Sequence, residues 1–208
     1  MKNKENSVKA QPDAYHHGNL REGLLQAAIK QLKENGVEKL SLRAISRDVG
    51  VSQSAPFRHF KDKNAVLVAL ATEGFLRLKA SMEGVPPTKK VSKLSSTGMR
   101  YVEFAIKNPE VFKLMFGSSI EQADQYPELQ EAGKSAYAVL ERVVTEGVEN
   151  GMYSPQPAEE LAFAAWATVH GLAHIAIENK GPDIPEEEKI HLVKSTLNIF
   201  HDGAAFSK

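Results

Sequence analysis

The residues that could do chemistry fall in two places along the chain. The stretch Ser41 to Lys63, SLRAISRDVGVSQSAPFRHFKDK, combines a short apolar helix pattern with polar side chains that can hydrogen-bond to DNA. Further on, His170 and His174 stand four residues apart, one turn of helix, a spacing that can bind a metal ion. The first pattern predicts groove reading and fits no catalytic chemistry, whereas the second leaves metal binding and packing open.

The DNA-contacting stretch has the pattern of two short helices joined by a tight turn, the arrangement that lays a helix in the major groove. Ser41 is a suitable N-cap, and Gly50 stands where a helix often ends in a left-handed residue. Ser52 is expected to cap the second helix, over about residues 53–59. Pro56 would occupy the fourth position of that helix, so either the helix begins later or its first turn is distorted.

The polar side chains of this stretch have expected contacts. Gln53 and Ser54 begin the second helix, where side chains point at base edges, and glutamine can pair with adenine through two hydrogen bonds. Lys63 begins the next helix, where an ammonium group and helix N-terminal amides can share one phosphate. The predicted DNA-binding residues are Arg43, Ser52, Gln53, Ser54, Phe57, Arg58, His59 and Lys63.

Charge is unevenly distributed along the 208 residues, although the formal net charge is +0. Residues 1–63 contain 12 Lys/Arg against 7 Asp/Glu, whereas residues 64–208 contain 14 against 19. A basic head on an acidic body is expected when only one end meets phosphate. The absence of cysteine excludes disulfides and thiolate metal sites and is compatible with a reducing cytoplasm, the expected location.

The hydrophobic periodicity predicts an all-α chain of about nine helices in two domains. Residues 1–14 are polar and unlike a signal peptide or membrane anchor, so we expect a disordered arm whose lysines either touch DNA or stay solvated. A helix-turn-helix domain is expected over 15–62, a connecting helix over 63–84, and an effector-binding and dimerisation domain over 85–208. The apolar run 161–177 is short and polar for a membrane span, so a helix buried in protein is expected. The nine helices are expected at about 20–36, 42–49, 53–59, 62–82, 91–107, 109–116, 127–150, 157–179 and 186–202.

Three segments resemble the TetR-type transcriptional regulators: GVSQSAPFRHFKDKNAVLVAL, the preceding Tyr15 to Gly36, and WATVHGLAHIA at Trp166 to Ala176. The last is similar to the effector domain of the branch named for its Trp-His-Gly residues. The resemblance implies a homodimer that represses from a palindromic DNA operator and responds to a small-molecule effector. Phe57 stands where this family usually has tyrosine, so one phosphate hydrogen bond is in doubt and Phe57 could be half core. His59 is expected to close the recognition helix or to donate to phosphate.

Large apolar residues in the second half of the chain could line an effector cavity among the fifth to eighth helices, the position that the resemblance implies. For each of them, ordinary core packing is the alternative. Ala138 is expected to face the cavity beside Tyr137. The expected lining is Tyr101, Phe104, Phe112, Met115, Phe116, Tyr137, Phe163 and Trp166.

The last two helices are expected to form a four-helix interface between two chains. Small residues around Gly171 would let two copies of one helix approach closely. The histidines are expected to be buried or interfacial and paired by hydrogen bonds, with no bound metal, because the glutamate of a zinc protease is absent after His170. The expected interface residues are His170, Gly171, His174, Val193, Leu197 and Phe200.

Two other classes of protein compete with a ligand-responsive regulator. A helical enzyme would need a phosphate loop, a nucleophile elbow or a metal-ligand set, and the sequence contains none of these motifs. An architectural DNA-binding protein would not need the acidic, aromatic-containing C-terminal part of the chain. We therefore expect no catalytic residues and no cofactor, and a small, partly apolar effector as a partner besides DNA.

Overall fold

A computed structural model describes residues 20–84, 91–178 and 185–205 of the chain. The all-α prediction is confirmed: these residues form helices and contain no strand, only an isolated bridge between Tyr153 and Ala205. The predicted N-terminal arm, the proposed boundary after Gly84 and the break at Gly181-Pro182 lie outside the described residues. The eight α-helices are α1 Leu20–Lys39, α2 Leu42–Val49, α3 Lys63–Glu83, α4 Lys93–Lys107, α5 Pro109–Phe116, α6 Pro127–Glu149, α7 Ala158–Glu178 and α8 Glu186–Ala204.

Local capping chemistry fixes the ends of the helices near the N-terminus. The Ser41 hydroxyl accepts a hydrogen bond from the Ala44 backbone N–H at 3.2 Å, and Gly50 ends α2 in the left-handed region with φ 76. The Asp62 carboxylate accepts from the Ala65 N–H at 2.9 Å and so caps α3. The predicted ends of α2 are confirmed.

The first helix stops at Gly36, as predicted, but a second short helical segment follows it within α1. Gly36 was expected to terminate the helix, and it does break the helical backbone, with φ 73 and ψ 174. Helical structure resumes after this kink and continues to Lys39. A glycine adopts this conformation without the steric cost that a side chain would bring, so the kink is placed where the sequence allows it.

Helix α3 is the central element and belongs to both ends of the molecule. Its N-terminal half packs against α1, and along its length it also contacts α4, α5 and α6. The buried residues of α1, α2 and α3 form one continuous core with those of α4 to α8. The N-terminal helices α1 and α2 are therefore packed directly on the rest of the molecule, and a movement of α3 would displace residues in both parts.

Helix α7 is long and apolar enough to cross a membrane by length and composition alone. In the fold, however, it packs against α4, α6 and α8. Leu161, Val169 and Ala173 are buried on this side, while Phe163 and Ile175 on other faces are exposed. A helix packed in protein agrees with the prediction from the sequence, although one face of α7 remains uncovered in the single chain.

The C-terminal end of the chain is tied back to the end of α6. The Ser154 N–H donates to the Ala204 carbonyl at 3.0 Å, beside the bridge between Tyr153 and Ala205. The Tyr153 ring is buried and lies so close to Gly147 that an added Cβ would overlap it. This contact therefore requires a glycine on α6.

Candidate DNA-binding surface and ligand cavity

The predicted recognition helix is the first correction. An α-helix was expected over about residues 53–59, but the structure has a turn followed by a 3-10 helix at Pro56–Arg58. Pro56 has no N–H to donate to the Ser52 carbonyl, which accepts instead from Ala55 at 3.0 Å. The first turn is thus distorted, the second of the two outcomes that the sequence left open.

Ser52 also does not cap a helix as predicted. Its hydroxyl pairs with that of Ser54 at 3.2 Å, and the residue before the 3-10 helix, Ala55, has no side-chain cap. Ser52, Gln53 and Ser54 are all exposed on one turn, with Arg43 exposed on α2. Their side chains are therefore accessible from outside, in the place where the sequence predicts base contacts.

The residues after Pro56 separate into exposed and buried positions. Phe57 is 54% exposed, so about half of its surface is covered, whereas Arg58 and His59 are exposed. Phe60 is buried, and the Arg21 guanidinium lies 5.6 Å from the centre of its ring. Phe60 thus anchors the turn, while the three residues before it face outward.

Lys63 occupies the first turn of α3, as expected. Its ammonium group donates to the Glu38 carbonyl at 3.1 Å, joining the end of α1 to the start of α3. An ammonium has three donors, so this bond leaves capacity for a phosphate. A second clamp on the head joins α1 to α2, where the buried Gln31 amide donates to Asp48 at 2.9 Å.

Asn64, the next residue, is a connection that the sequence analysis missed. Its amide nitrogen donates to the Glu121 carbonyl at 3.1 Å and to the Tyr126 hydroxyl at 2.9 Å. Its amide oxygen accepts from the Glu121 N–H at 2.9 Å. These three bonds, here called the Asn64 clip, hold the segment before α6 against the start of α3. No local pattern announces them, because the partners lie 57 and 62 residues away.

A cavity of ≈ 510 Å³ lies between α3, α4, α5, α6 and α7. Five of the eight predicted lining residues are on its wall, and α3 and α6 supply side chains that were not predicted. The lining residues are Phe75, Leu78, Met82, Tyr101, Phe116, Gly133, Lys134, Ala136, Tyr137, Leu140, Phe163 and Trp166. The α3 residues Phe75, Leu78 and Met82 follow helical spacing, a pattern that core packing would produce equally well.

Phe104, Phe112 and Met115 were predicted to line the cavity and do not. All three are buried in the core. Met115 fills the space beside Gly74 of α3, where an added Cβ would lie 2.6 Å from its sulfur. Phe112 is fully buried among aromatic rings, 4.8 Å from that of Phe116. For these residues the packing alternative holds. Ala138 is also wrong as a cavity residue, because it is exposed on α6 while Ala136 faces the cavity.

His170 packs against two residues of the cavity wall, Tyr101 and Trp166. Its Nδ1 is hydrogen-bonded to the Tyr101 hydroxyl at 2.9 Å, and its ring stacks on Trp166 at 5.1 Å. Burial, with a smaller contribution from His174, lowers the pKa of His170 from 6.5 to about 4. The imidazole is therefore neutral near pH 7, and burial also raises the pKa of the Tyr101 hydroxyl above its usual value.

The second histidine has a different partner. His174 Nδ1 lies 3.3 Å from a carboxylate oxygen of Glu178, one turn further along α7, and the His174 ring lies 4.7 Å from that of His170. Within the described part of the chain, no group of three or more His, Cys, Asp or Glu side chains is placed to hold a metal ion. The two histidines thus form part of a packed aromatic cluster.

The α8 residues that are predicted at a dimer interface are covered within the single chain. Val193 and Leu197 are 4% and 5% exposed, because they face the core, and Phe200 is partly buried against the smaller core cluster of α6 and α7. The large apolar residues exposed on the described part of α8 are Ile190, Leu192 and Ile199, the last of them 70% exposed. On α7, Gly171 is exposed as predicted and Ile175 joins it. An uncovered apolar face therefore exists on both helices, but through different residues.

Two family models match the chain. The model for bacterial regulatory proteins of the tetR family matches residues 24–70, and that for the tetracyclin repressor-like C-terminal domain matches residues 94–192. A solved structure of a protein of unknown function from Rhodococcus sp. RHA1 is 34% identical, with a TM-score of 0.81, and the match covers 94% of this chain and 100% of that one.

More distant structures share the fold. A tetR-family bacterial regulatory protein from Rhodococcus RHA1 is 18% identical with a TM-score of 0.66, and the match covers 90% of this chain and 97% of that one. The transcriptional regulator FadR from Bacillus subtilis, solved in complex with stearoyl-CoA, is 18% identical with a TM-score of 0.67, covering 88% and 98%.

Proposed function

The chain belongs to the TetR family of bacterial transcriptional regulators, and from this premise we propose that it is a ligand-released repressor that binds a palindromic operator as a homodimer in the cytoplasm. Members of this family are DNA-binding regulators and not enzymes. We further propose that it belongs to the Trp-His-Gly branch, on the basis of Trp166, His170 and Gly171. The domain limits remain 15–62, 63–84 and 85–208 in this proposal.

The DNA contacts in this proposal come from one exposed surface. Gln53 and Ser54 are assigned to base edges, and Arg43, Arg58 and Lys63 to phosphate or base. The 3-10 turn at Pro56 keeps Gln53 and Ser54 at the exposed tip of the motif. Phe57 and His59, which are exposed, complete the proposed contact surface, and the positive charge of the N-terminal residues supports it.

The uncovered apolar face of α7 and α8 supports the homodimer. Ile175 on α7 and Leu192 and Ile199 on α8 are exposed in the single chain, and burying them in a partner would recover hydrophobic free energy. Space is open around Gly171, where no other atom lies near an added Cβ, so a second α7 can approach closely. A two-fold dimer presents two equal heads, which requires a palindromic operator.

Helix α3 supports a direct route from effector to DNA. Its C-terminal half supplies Phe75, Leu78 and Met82 to the cavity, while Lys63 at its other end belongs to the proposed DNA surface. Helix α6 supplies the opposite wall and is tied through the Asn64 clip to the same end of α3. An effector that spreads these helices would reorient the head, provided that it binds the DNA-free form more tightly.

The single observation that carries this proposal is that one helix, α3, lines the cavity with its C-terminal half and carries Lys63 of the proposed DNA surface at its start. An architectural DNA-binding protein would have no use for a ≈ 510 Å³ apolar cavity at this place. The regulator FadR, solved in complex with stearoyl-CoA, is a protein of the same fold whose ligand carries a long apolar acyl chain. A small, partly apolar effector is therefore proposed for this chain.

Binding to the DNA upstream of the protein's own gene, measured by fluorescence anisotropy at several salt concentrations, tests the proposal. Lys63→Ala should weaken binding to all DNA sequences and reduce the salt slope by about one, because one phosphate contact is lost. Gln53→Ala should change the base preference at a cost of about 1–3 kcal/mol. Lys194→Ala, at an exposed position on α8, which is not among the helices packed on α1 or α2, is the matched control. Binding that is independent of salt and of both substitutions would contradict the proposal.

A further inference from the structure

The chemistry of the cavity wall restricts what can bind there. Six aromatic side chains from five helices surround the space, and the remaining lining is aliphatic apart from one lysine. The hydroxyl of the lining residue Tyr101 is already hydrogen-bonded to His170. The body of a ligand would thus meet carbon atoms and ring faces, so it must itself be apolar.

The exception is Lys134 on α6, the only charged side chain on the wall. It is exposed, so its ammonium group lies toward solvent, and it is in no ion pair with any other described residue. No Asp or Glu lines the cavity. Among the lining side chains, a bound cation would therefore meet only a like charge, whereas an anion would find a free ammonium group at the rim. The Glu141 carboxylate is not part of the lining, although its charge adds to burial in raising the pKa of Tyr137.

We infer that the effector is an apolar organic monoanion, such as a carboxylate or a sulfonate, with its body in the aromatic cavity and its charged group beside Lys134. This inference rests on the proposed function, because it assumes that the cavity is the effector site. A volume of ≈ 510 Å³ lies within the range of about 300–1,000 Å³ for small-molecule sites. A body of two or three fused or linked rings, or a folded acyl chain, fits this description.

A matched pair of fluorescent probes tests the charge. The anion 8-anilinonaphthalene-1-sulfonate and neutral N-phenyl-1-naphthylamine share one aromatic skeleton and differ in the sulfonate. Trp166 is the only tryptophan of the chain and lines the cavity, so energy transfer from it reports a probe bound there. We expect the wild-type protein to bind the anion about fivefold more tightly than the neutral probe, the effect of one ion pair at a partly solvated rim.

Lys134→Met should remove this preference by weakening the anion alone, since methionine keeps most of the apolar stem of lysine. Lys107→Met, on α4 outside the cavity, is the control and should leave both affinities unchanged. Equal binding of the two probes to the wild-type protein, or an unchanged preference in Lys134→Met, would overturn the inference. Tighter binding of the cationic dye rhodamine 6G would overturn it as well.

Two substitutions on α6 tie the signal to the cavity. Ala136→Phe should fill it and abolish energy transfer from Trp166, whereas Ala138→Phe, on the exposed side two residues away, should not. If Ala136→Phe does not fold, Gly133→Leu serves, because a Cβ there meets only the Phe75 ring at 3.8 Å. Probe binding that survives the filled cavity overturns the inference. Failure of the proposed function is separate: it would appear as absent DNA binding in a protein whose probe preference is intact.

Discussion

Replacing Asn64 with alanine should loosen the connection between the DNA-binding head and the body. The substitution removes three hydrogen bonds of 2.9–3.1 Å that tie the first turn of α3 to Glu121 and Tyr126. Each such bond contributes about 0.5–1.5 kcal/mol net, and partly exposed ones lie at the low end, so the loss should be about 1–3 kcal/mol. For a chain of this length, that lowers the melting temperature by about 2–4 °C per kcal/mol.

Asn64→Asp should reduce stability by less than Asn64→Ala does. An aspartate keeps an acceptor for the Glu121 N–H and can accept from the Tyr126 hydroxyl, but it has no donor for the Glu121 carbonyl. We therefore expect its stability between that of the wild type and that of Asn64→Ala. Asn198→Ala, at an exposed site on α8, is the control for loss of an asparagine elsewhere.

Thermal melting measures the stability, and amide hydrogen exchange locates the change. The Glu121 N–H donates directly to Asn64, so its exchange should accelerate in both variants, and more in Asn64→Ala, where its acceptor is gone. If Asn64→Ala melts with the wild type and the Glu121 amide exchanges at an unchanged rate, the clip does not hold the two parts together.

Three further predictions concern packing, pH and assembly. Calorimetry should show that Gly133→Ala stabilises the protein by about 0.5–1 kcal/mol, since the added Cβ has room. Gly147→Ala should destabilise it by about 1–3 kcal/mol, because the Tyr153 ring must shift. Equal effects of the two substitutions would contradict this packing. The pKa of His170 is lowered from 6.5 to about 4, so between these pH values the unfolded state binds more protons than the folded state, and stability falls as the pH falls. Denaturant titrations should show a shallower decline in the free energy of unfolding for His170→Gln than for the wild type. An identical decline in the two proteins would contradict this role of His170. Ile199→Asp should convert a dimer to a folded monomer by light scattering; a dimer that persists would move the interface elsewhere.

Features set by neighbouring residues could be predicted from the sequence, and those set by distant packing could not. Ser41, Gly50 and Pro109 mark helix ends through local chemistry, and the structure has those ends. Pro56 was correctly identified as a problem for the recognition helix, but whether the helix would shift or distort depends on the surrounding turn.

The cavity shows the same limit. Clustered aromatic residues predict a core or a cavity without distinguishing between them. Met115 is a core residue because it packs beside Gly74, 41 positions earlier in the chain, and no local sequence pattern predicts that contact. On α8, Val193 and Leu197 were predicted to face a second chain, yet both are buried in the core, while Leu192 is exposed. Adjacent positions on a helix point about 100° apart, so a small error in the helical phase exchanges core for interface.

Hydroxyl-radical footprinting of the protein on its own upstream DNA tests whether the chain is a dimeric, ligand-released regulator. We expect two protected patches related by two-fold symmetry, with centres about 34–36 Å apart, one helical turn of DNA or a multiple of it. Protection should fade when the cavity ligand is added. A single asymmetric patch formed by one chain, or protection that a cavity-bound ligand leaves unchanged, would contradict a dimeric, ligand-released regulator.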